Sequence, residues 1–273
     1  MKQRKIRIGT RGSGLALAQT EEVEKLLYRQ HPEIDFEVVP IHTGGDRNQK
    51  APITEIGGRG VFVREIEQRL IEGDIDLAVH SLKDLPSSLP PGLCIAGAPP
   101  RADARDVLVC RAGEASGPQQ LDTLPAGARV GTSSLRRKAQ VKRHRPDLRV
   151  VPVRGKVETR LRKLDEGACD ALVLAAAGLL RLDLGGRITQ YLPPADFVPS
   201  GGQGIIGIEV RCDDGEMVSL VRELSDEDTF AEAEGEREFL HVMQGGCHTP
   251  MGCLSRFTEE GLYEITGFVA DLD

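Results

Sequence analysis

Two loops carry residues with the chemistry of a reactive site. In QGGCHTP (244–250), Cys247 follows two glycines on a loop leaving a helix, so its sulfur is placed to be accessible. A thiol acts as a nucleophile only as thiolate, and a single cysteine is more often a small buried hydrophobe. Cys247, His248 and Cys253 also suggest zinc, but no fourth ligand is evident and the spacing matches no structural zinc site, so no metal is expected. In HSLKDLP (80–86), Lys83 and Asp84 follow an apolar run. That places them at the C-terminal end of a strand, where α/β proteins bind ligands. A carboxylate there can move a proton or stabilise a developing cation; a surface lysine beside a turn-forming aspartate is the structural alternative.

Two strand-to-helix turns suit an anion. GTRGS (9–13) and GTSSLRR (131–137) each lead into a helix, whose first N–H groups and dipole attract negative charge. Ser133 or Ser134 can cap the helix or bind a ligand, and Arg11, Arg136 and Arg137 offer forked donors for carboxylates or phosphates. Ordinary N-capping with solvated arginines would explain one such turn; two matching turns favour a ligand. From Arg136 to Lys163 the chain carries twelve Lys or Arg against Asp147 and Glu158 only. This run has no aromatic for base stacking, so a small ligand with many carboxylates explains it better than nucleic acid. Arg154-Gly155 falls at a strand end within it.

Alternating elements must position these residues. Strands are predicted at 5–10, 36–43, 75–81, 128–133, 147–154 and 168–175, with helices over 15–30, 61–73, 134–145 and 156–166. Gly73 is a plausible helix stop, and residues 44–60 read as a long loop. The alternation argues for parallel α/β layers. Arg7-Ile8-Gly9-Thr10 is echoed by Arg129-Val130-Gly131-Thr132, and Ala18-Gln19 by Ala139-Gln140, which indicates two related βα domains. A Pro-rich crossing (Pro90, Pro91, Pro99, Pro100) separates them, and PSGGQGIIGIEVR (199–211) is expected to return the chain to the first. A helix over 229–244 stops at Gly245-Gly246, followed by two antiparallel strands turning at Glu259-Glu260-Gly261.

The 273 residues suit about two domains at roughly 100–200 residues each. A net charge of -7 gives no reason to expect nucleic acid or an anionic membrane as partner. No run approaches the ~18 apolar residues of a membrane helix, and no signal core follows the basic N-terminus. Six cysteines without a C-x-x-C pair suggest reduced thiols and a cytoplasmic protein.

The ordered stretches IRIGTRGSGLALAQ, GGRGVFVREIE, DLAVHSLKDLP, ADARDVLV, VGTSSLRRKAQ, VRGKVETRLRKL, ALVLAAAGLLRL, PSGGQGIIGIE and GGCHTP resemble the porphobilinogen deaminase (hydroxymethylbilane synthase) family from about Arg7 to at least Gly252. The resemblance implies two type-II periplasmic-binding-like domains and a small α+β third domain, with 1–103 plus 200–221, 104–199 and 222–273 as their ranges. It implies a transferase that joins four porphobilinogen units head to tail and releases ammonia. The growing chain is primed by a dipyrromethane cofactor bound through a thioether to Cys247. Each unit carries acetate and propionate, which accounts for the arginine excess. Asp84 matches the family's catalytic aspartate. Lys83, Ser134, Arg136, Arg137 and Arg154 with Gly155 match positions that hold the cofactor. Arg11, Ser13, Gln19, Arg160 and Arg181 match substrate or chain-binding positions, and 47–60 matches a cover over the cleft. Lys156 departs from the family's usual Asn in R-G-N, and Glu55 and Arg59 stand where some members have Lys. Many members also run some tens of residues further. A monomer without nucleic-acid or membrane partners is expected. A non-enzymatic solute-binding protein would share the fold, but GGCHTP and the missing export signal count against it. A nucleic-acid regulator is opposed by the net acidity.

Overall fold

The computed structural model describes residues 5–41, 63–111, 120–244 and 249–271. The long loop 44–60, the cover segment 47–60 with Glu55 and Arg59, the Gly245-Gly246 stop, Cys247 and His248 lie outside the described residues.

The first sheet is built from β1 (Lys5–Arg11), β2 (Asp35–Ile41), β3 (Leu77–Ser81), β4 (Leu93–Gly97) and, from much later in the chain, β10 (Ile206–Arg211), in the order β2-β1-β3-β10-β4. The second contains β5 (Asp106–Cys110), β6 (Arg129–Gly131), β7 (Arg149–Val151), β8 (Ala171–Ala175) and β9 (Gln190–Tyr191), in the order β7-β6-β8-β5-β9. The two orders have the same logic. Three parallel strands lead, with β1 between β2 and β3 and β6 between β7 and β8. A fourth, arriving from the other half of the molecule, then runs antiparallel: β10 beside β3, and β5 beside β8. The expected parallel layers hold for these three strands of each sheet and are corrected at β10 and β5. A strand fed from the opposite sheet enters from the ligand end and must run backwards, whereas a strand fed by a helical crossover runs forwards.

The helices are α1 (Gly14–Gln30), α2 (Arg64–Ile71), α3 (Leu135–His144), α4 (Val157–Asp165), α5 (Ala176–Arg181), α6 (Gly215–Glu223) and α7 (Glu227–Val242). Gly73, at φ +75°, ends α2 in the left-handed conformation that favours glycine. Alternate residues of the first sheet face opposite sides. Ile6, Ile8, Leu77, Val79, Ile208 and Val210 pack under α1 and α6, while Ala78 and Ile75 pack against Ile66 and Leu70 of α2. The second sheet is likewise buried on both faces.

The sequence echo between the halves has a physical basis. Arg7 donates from its backbone N and its guanidinium to Asp76 (2.8 and 3.0 Å), just ahead of β3. Arg129 does the same to Asp170 (2.7 and 2.7 Å), just ahead of β8. Each pair pins the first strand of its sheet to the third. Gly9 and Gly131 are needed there because a Cβ would collide with Ile75 in one case and with Leu172 and Val153 in the other.

After α7 the chain forms a two-stranded sheet, β11 (Met251–Phe257) with β12 (Tyr263–Val269), packed on α7. Its turn has Gly261 at φ +77°.

Candidate active site

β3 ends in a 3-10 turn over Leu82–Asp84, which sets Lys83 and Asp84 at the strand's C-terminal edge. The turn is fixed from behind, where Leu82 N donates to Ile205 O at 3.0 Å. The segment carrying Ile205 runs so close that a Cβ on Gly202 (φ +75°) would lie 2.9 Å from Lys83 N. Glycine is required there on both counts.

A cavity of about 390 Å³, counting its open mouth, lies over this turn. Arg11, Ser13, Leu15, Ala16, Gln19, Val63, Val79, His80, Ser81 and Asp84 line it. Arg11 Nη1 stands 3.9 Å from Asp84 Oδ2. Gln19 Oε1 accepts from Ser81 Oγ at 2.8 Å, which ties α1 to β3. Ser13 is the N-cap of α1, accepting from Ala16 N at 3.2 Å, and Ser134 caps α3 in the same way from Arg137 N. The capping reading of both serines is thus realised, and Ser13 lines the cavity as well. Neither helix has an acidic residue in its first turn, so both positive helix ends are left to an anion from elsewhere.

The arginines divide into two kinds. Arg136 and Arg137 are buried and bound to Asp106, at 2.6 Å (Arg136 Nη1) and 2.8 Å (Arg137 Nη2). Asp106 is held well below the usual carboxylate range, the two guanidiniums overcoming its burial. Arg181 reaches Glu22 on α1 (2.9 Å) and Gly204 O (3.2 Å), joining α5 to the first half of the molecule. Arg160 Nε donates to Gly155 O at 2.7 Å. Gly155 takes φ +121°, and a Cβ would lie 2.8 Å from Thr159 Cγ2, so this strand end needs glycine. Lys156 is the N-cap of α4 and offers no side-chain cap.

Electrostatics join these groups. Burial pushes the Lys83 ammonium down to about 8; Asp84 opposes this, and Arg137 and Arg136 add to it. Arg160 is pushed down to about 10, first by burial and then by Arg137 and Arg154, with Asp84 opposing. Lys83, Arg160, Arg154, Arg136 and Arg137 therefore form one field around Asp84 and Asp106, and cations outnumber carboxylates among its described residues.

Gln203 was missed by the sequence reading. Wholly buried, it donates to Ala104 O (2.7 Å) and Asp106 Oδ1 (2.9 Å) and accepts from Lys83 Nζ (3.4 Å). It thereby links the turn of the first sheet to the arginine pair of the second. Its only signal was a lone amide in a Gly-rich run, which a turn explains as well. Glu236 on α7, also missed, is fully buried. It accepts from Arg101 Nη1 (2.7 Å), Gly202 N (2.6 Å) and Ser255 N (2.7 Å), so one carboxylate fastens both crossing segments and β11.

Fold and site define a two-sheet α/β protein in which a cavity at the end of β3, holding one exposed carboxylate, adjoins a field of cations drawn from both sheets. Two family models match the chain: "Porphobilinogen deaminase, dipyromethane cofactor binding domain" over residues 6–219, and "Porphobilinogen deaminase, C-terminal domain" over residues 230–273. A porphobilinogen deaminase of Syntrophobacter fumaroxidans is 48% identical over 273 residues, covering 100% of this chain and 86% of the relative. One of Desulforudis audaxviator is 48% identical, covering 99% and 86%. One of Roseiflexus sp. is 49% identical over 262 residues, covering 96% and 84%. The chain belongs to the porphobilinogen deaminase family, and the dipyrromethane cofactor-binding domain accounts for most of its length. The Bordetella pertussis BvgS VFT2 domain has a TM-score of 0.48 at 16% identity, covering 88% of this chain and 92% of that one. The fold class rests on the strand order instead.

The residues present fit a dipyrromethane. The cofactor brings several carboxylates, and the guanidiniums gathered around Lys83 and Arg160 favour them. No cluster of metal-binding side chains and no helix long and apolar enough to cross a membrane occurs among the described residues.

Proposed function

We propose that this chain is a transferase that joins four porphobilinogen units head to tail into linear hydroxymethylbilane, releasing one ammonia per unit. The observation that carries this reading is the cationic field at the end of β3, centred on Asp84 and built from both sheets. A dipyrromethane bound through the Cys247 sulfur supplies the ring carbon to which the first unit is joined. Lys83, Arg154 and Arg160 hold carboxylates, Gly155 gives them close approach, and Arg11, Ser13 and Gln19 receive the incoming unit. Asp84 accepts pyrrole N–H groups and stabilises the positive charge that develops as the amine leaves. Arg136 and Arg137, anchored on Asp106, contribute as a fixed positive wall, and Ser134 presents the end of α3. Arg181 holds the seam between the halves along which the product lengthens.

We also propose the domain ranges 1–103 plus 200–221, 104–199 and 222–273, and a monomer at work in the cytoplasm. The test is direct: the purified, cofactor-loaded chain is given porphobilinogen, and product and ammonia are followed together. A linear tetrapyrrole with four ammonia is the expected result, and untouched porphobilinogen would contradict it.

A further inference from the structure

His80 on β3 lines the same cavity as Asp84 and Arg11. Its Nε2 meets Glu209 Oε2 on β10 at 3.0 Å, and the two side chains are 4% and 0% exposed. The other oxygen, Glu209 Oε1, is buried without a hydrogen-bond partner among the described residues, and so is Glu67 Oε1 on α2. The Glu67 carboxyl is pushed up by burial first and by Glu209 next, with His80 and Arg64 opposing. Arg237 on α7 and Cys94 on β4 also lie within electrostatic reach of Glu209. The groups around the His80–Glu209 pair are therefore Glu67, with Arg64 beside it, Arg237 and Cys94 from the packed elements, and Asp84 and Arg11 in the cavity. A buried carboxylate oxygen that accepts nothing is costly. An imidazole set between such a carboxylate and the cavity is placed to take up a proton from the cavity side. The reaction proposed above has a use for that proton position, and neither Asp84 nor the arginines fill it.

Resting on that reaction, we infer that His80 is the base that removes the proton displaced at each addition, with Glu209 as its positioning partner. When a ring carbon gains its new C–C bond it still carries hydrogen. Neutral His80, its Nε2–H donated to Glu209, takes that hydrogen as a proton at Nδ1, and the C–H electron pair returns to the ring. The proton then passes to the released ammonia. Overall R–CH2–NH3+ and a ring C–H become R–CH2–ring and NH4+, with no change of oxidation state. A carboxylate that fixes the tautomer of a histidine and balances its charge is a familiar arrangement.

Two measurements test this. In the unloaded Cys247→Ser chain, 15N spectra of the histidine rings should show neutral His80 protonated at Nε2, and Glu209→Leu should abolish that preference; an Nδ1–H tautomer would overturn the assignment. In the loaded enzyme, His80→Gln should lower kcat by about 100-fold or more with little change in KM. Porphobilinogen deuterated at its free α-carbon should then show a primary isotope effect larger than with unaltered His80. Glu209→Gln, which keeps the volume of the side chain, should move both readouts in the same direction. Full turnover by a folded His80→Gln, or a loss without any isotope effect in both variants, would sink the base alone. Absence of turnover in the unaltered loaded chain would sink the reaction and the base together.

Discussion

Arg11 Nη1 and Asp84 Oδ2 face each other across 3.9 Å at the mouth of the cavity, with the aspartate the more exposed side chain, 43% against 23%. That separation contrasts with the 3.0 Å of Arg7 and Asp76, where the charges are spent on pinning strands together. Asp84 is thus placed to offer lone pairs to the pyrrole N–H groups of the proposed reaction. Asp84→Asn should melt as the unaltered chain does and lose about 100- to 1,000-fold in kcat, the scale of one removed charge stabiliser. Unimpaired turnover would remove Asp84 from the mechanism.

Lys83 gives a pH dependence with a definite sign. Its folded value of about 8 lies below the ordinary lysine value of about 10.4. Below pH 8 the ammonium is charged in both states, and the unloaded fold carries the whole cost of burying it. Between the two values the unfolded chain holds a proton that the folded one has lost, so this group's penalty fades as pH rises. Lys83→Met should therefore stabilise the unloaded Cys247→Ser chain against urea at pH 7, with a smaller gain at pH 9.5. An equal gain at both would contradict the assignment.

Glu236 accepts from Arg101, Gly202 and Ser255 with no exposure to solvent. Glu236→Ala takes from Arg101 one of its two carboxylates and leaves two backbone N–H groups without their acceptor. A loss of about 3–5 kcal/mol in unfolding free energy is expected, read from urea midpoints. A loss under about 1 kcal/mol would show that Glu232, 2.9 Å from Arg101 Nη1, suffices.

Lys156 occupies an N-cap without supplying a cap. Lys156→Asn, the residue more usual in the family's motif, should raise the unfolding free energy by about 0.5–2 kcal/mol. An unchanged urea midpoint would mean that water satisfies the first N–H groups of α4 equally well.

Much of the fold was legible because its signals are local. The apolar run 75–81 and the Arg-Ile-Gly-Thr and Arg-Val-Gly-Thr echo mark β1, β3 and β6 from a few neighbouring residues, and Gly73 and Gly261 punctuate where a positive φ requires it. β4 escaped because it lies inside the proline run, and an edge strand tolerates flanking prolines that a central strand would not. β10 was expected where 199–211 returns the chain to the first sheet, but its antiparallel direction, like that of β5, escaped because direction depends on which sheet sends the chain. In the site, the arginine excess was visible but its division was not. Arg136 and Arg137 meet Asp106 thirty residues earlier, and Gln203 meets Lys83 from 120 residues away. Pairings at that range leave no spacing to read.

The central proposal is a covalent primer on Cys247 that serves the site around Asp84, and intact-protein mass spectrometry tests it most directly. Made in a cell with a tetrapyrrole pathway, the chain should carry the added mass of two pyrrole units, lost in Cys247→Ser and mapped to the peptide that contains Cys247. An unmodified mass, with Cys247 freely alkylated, would contradict it.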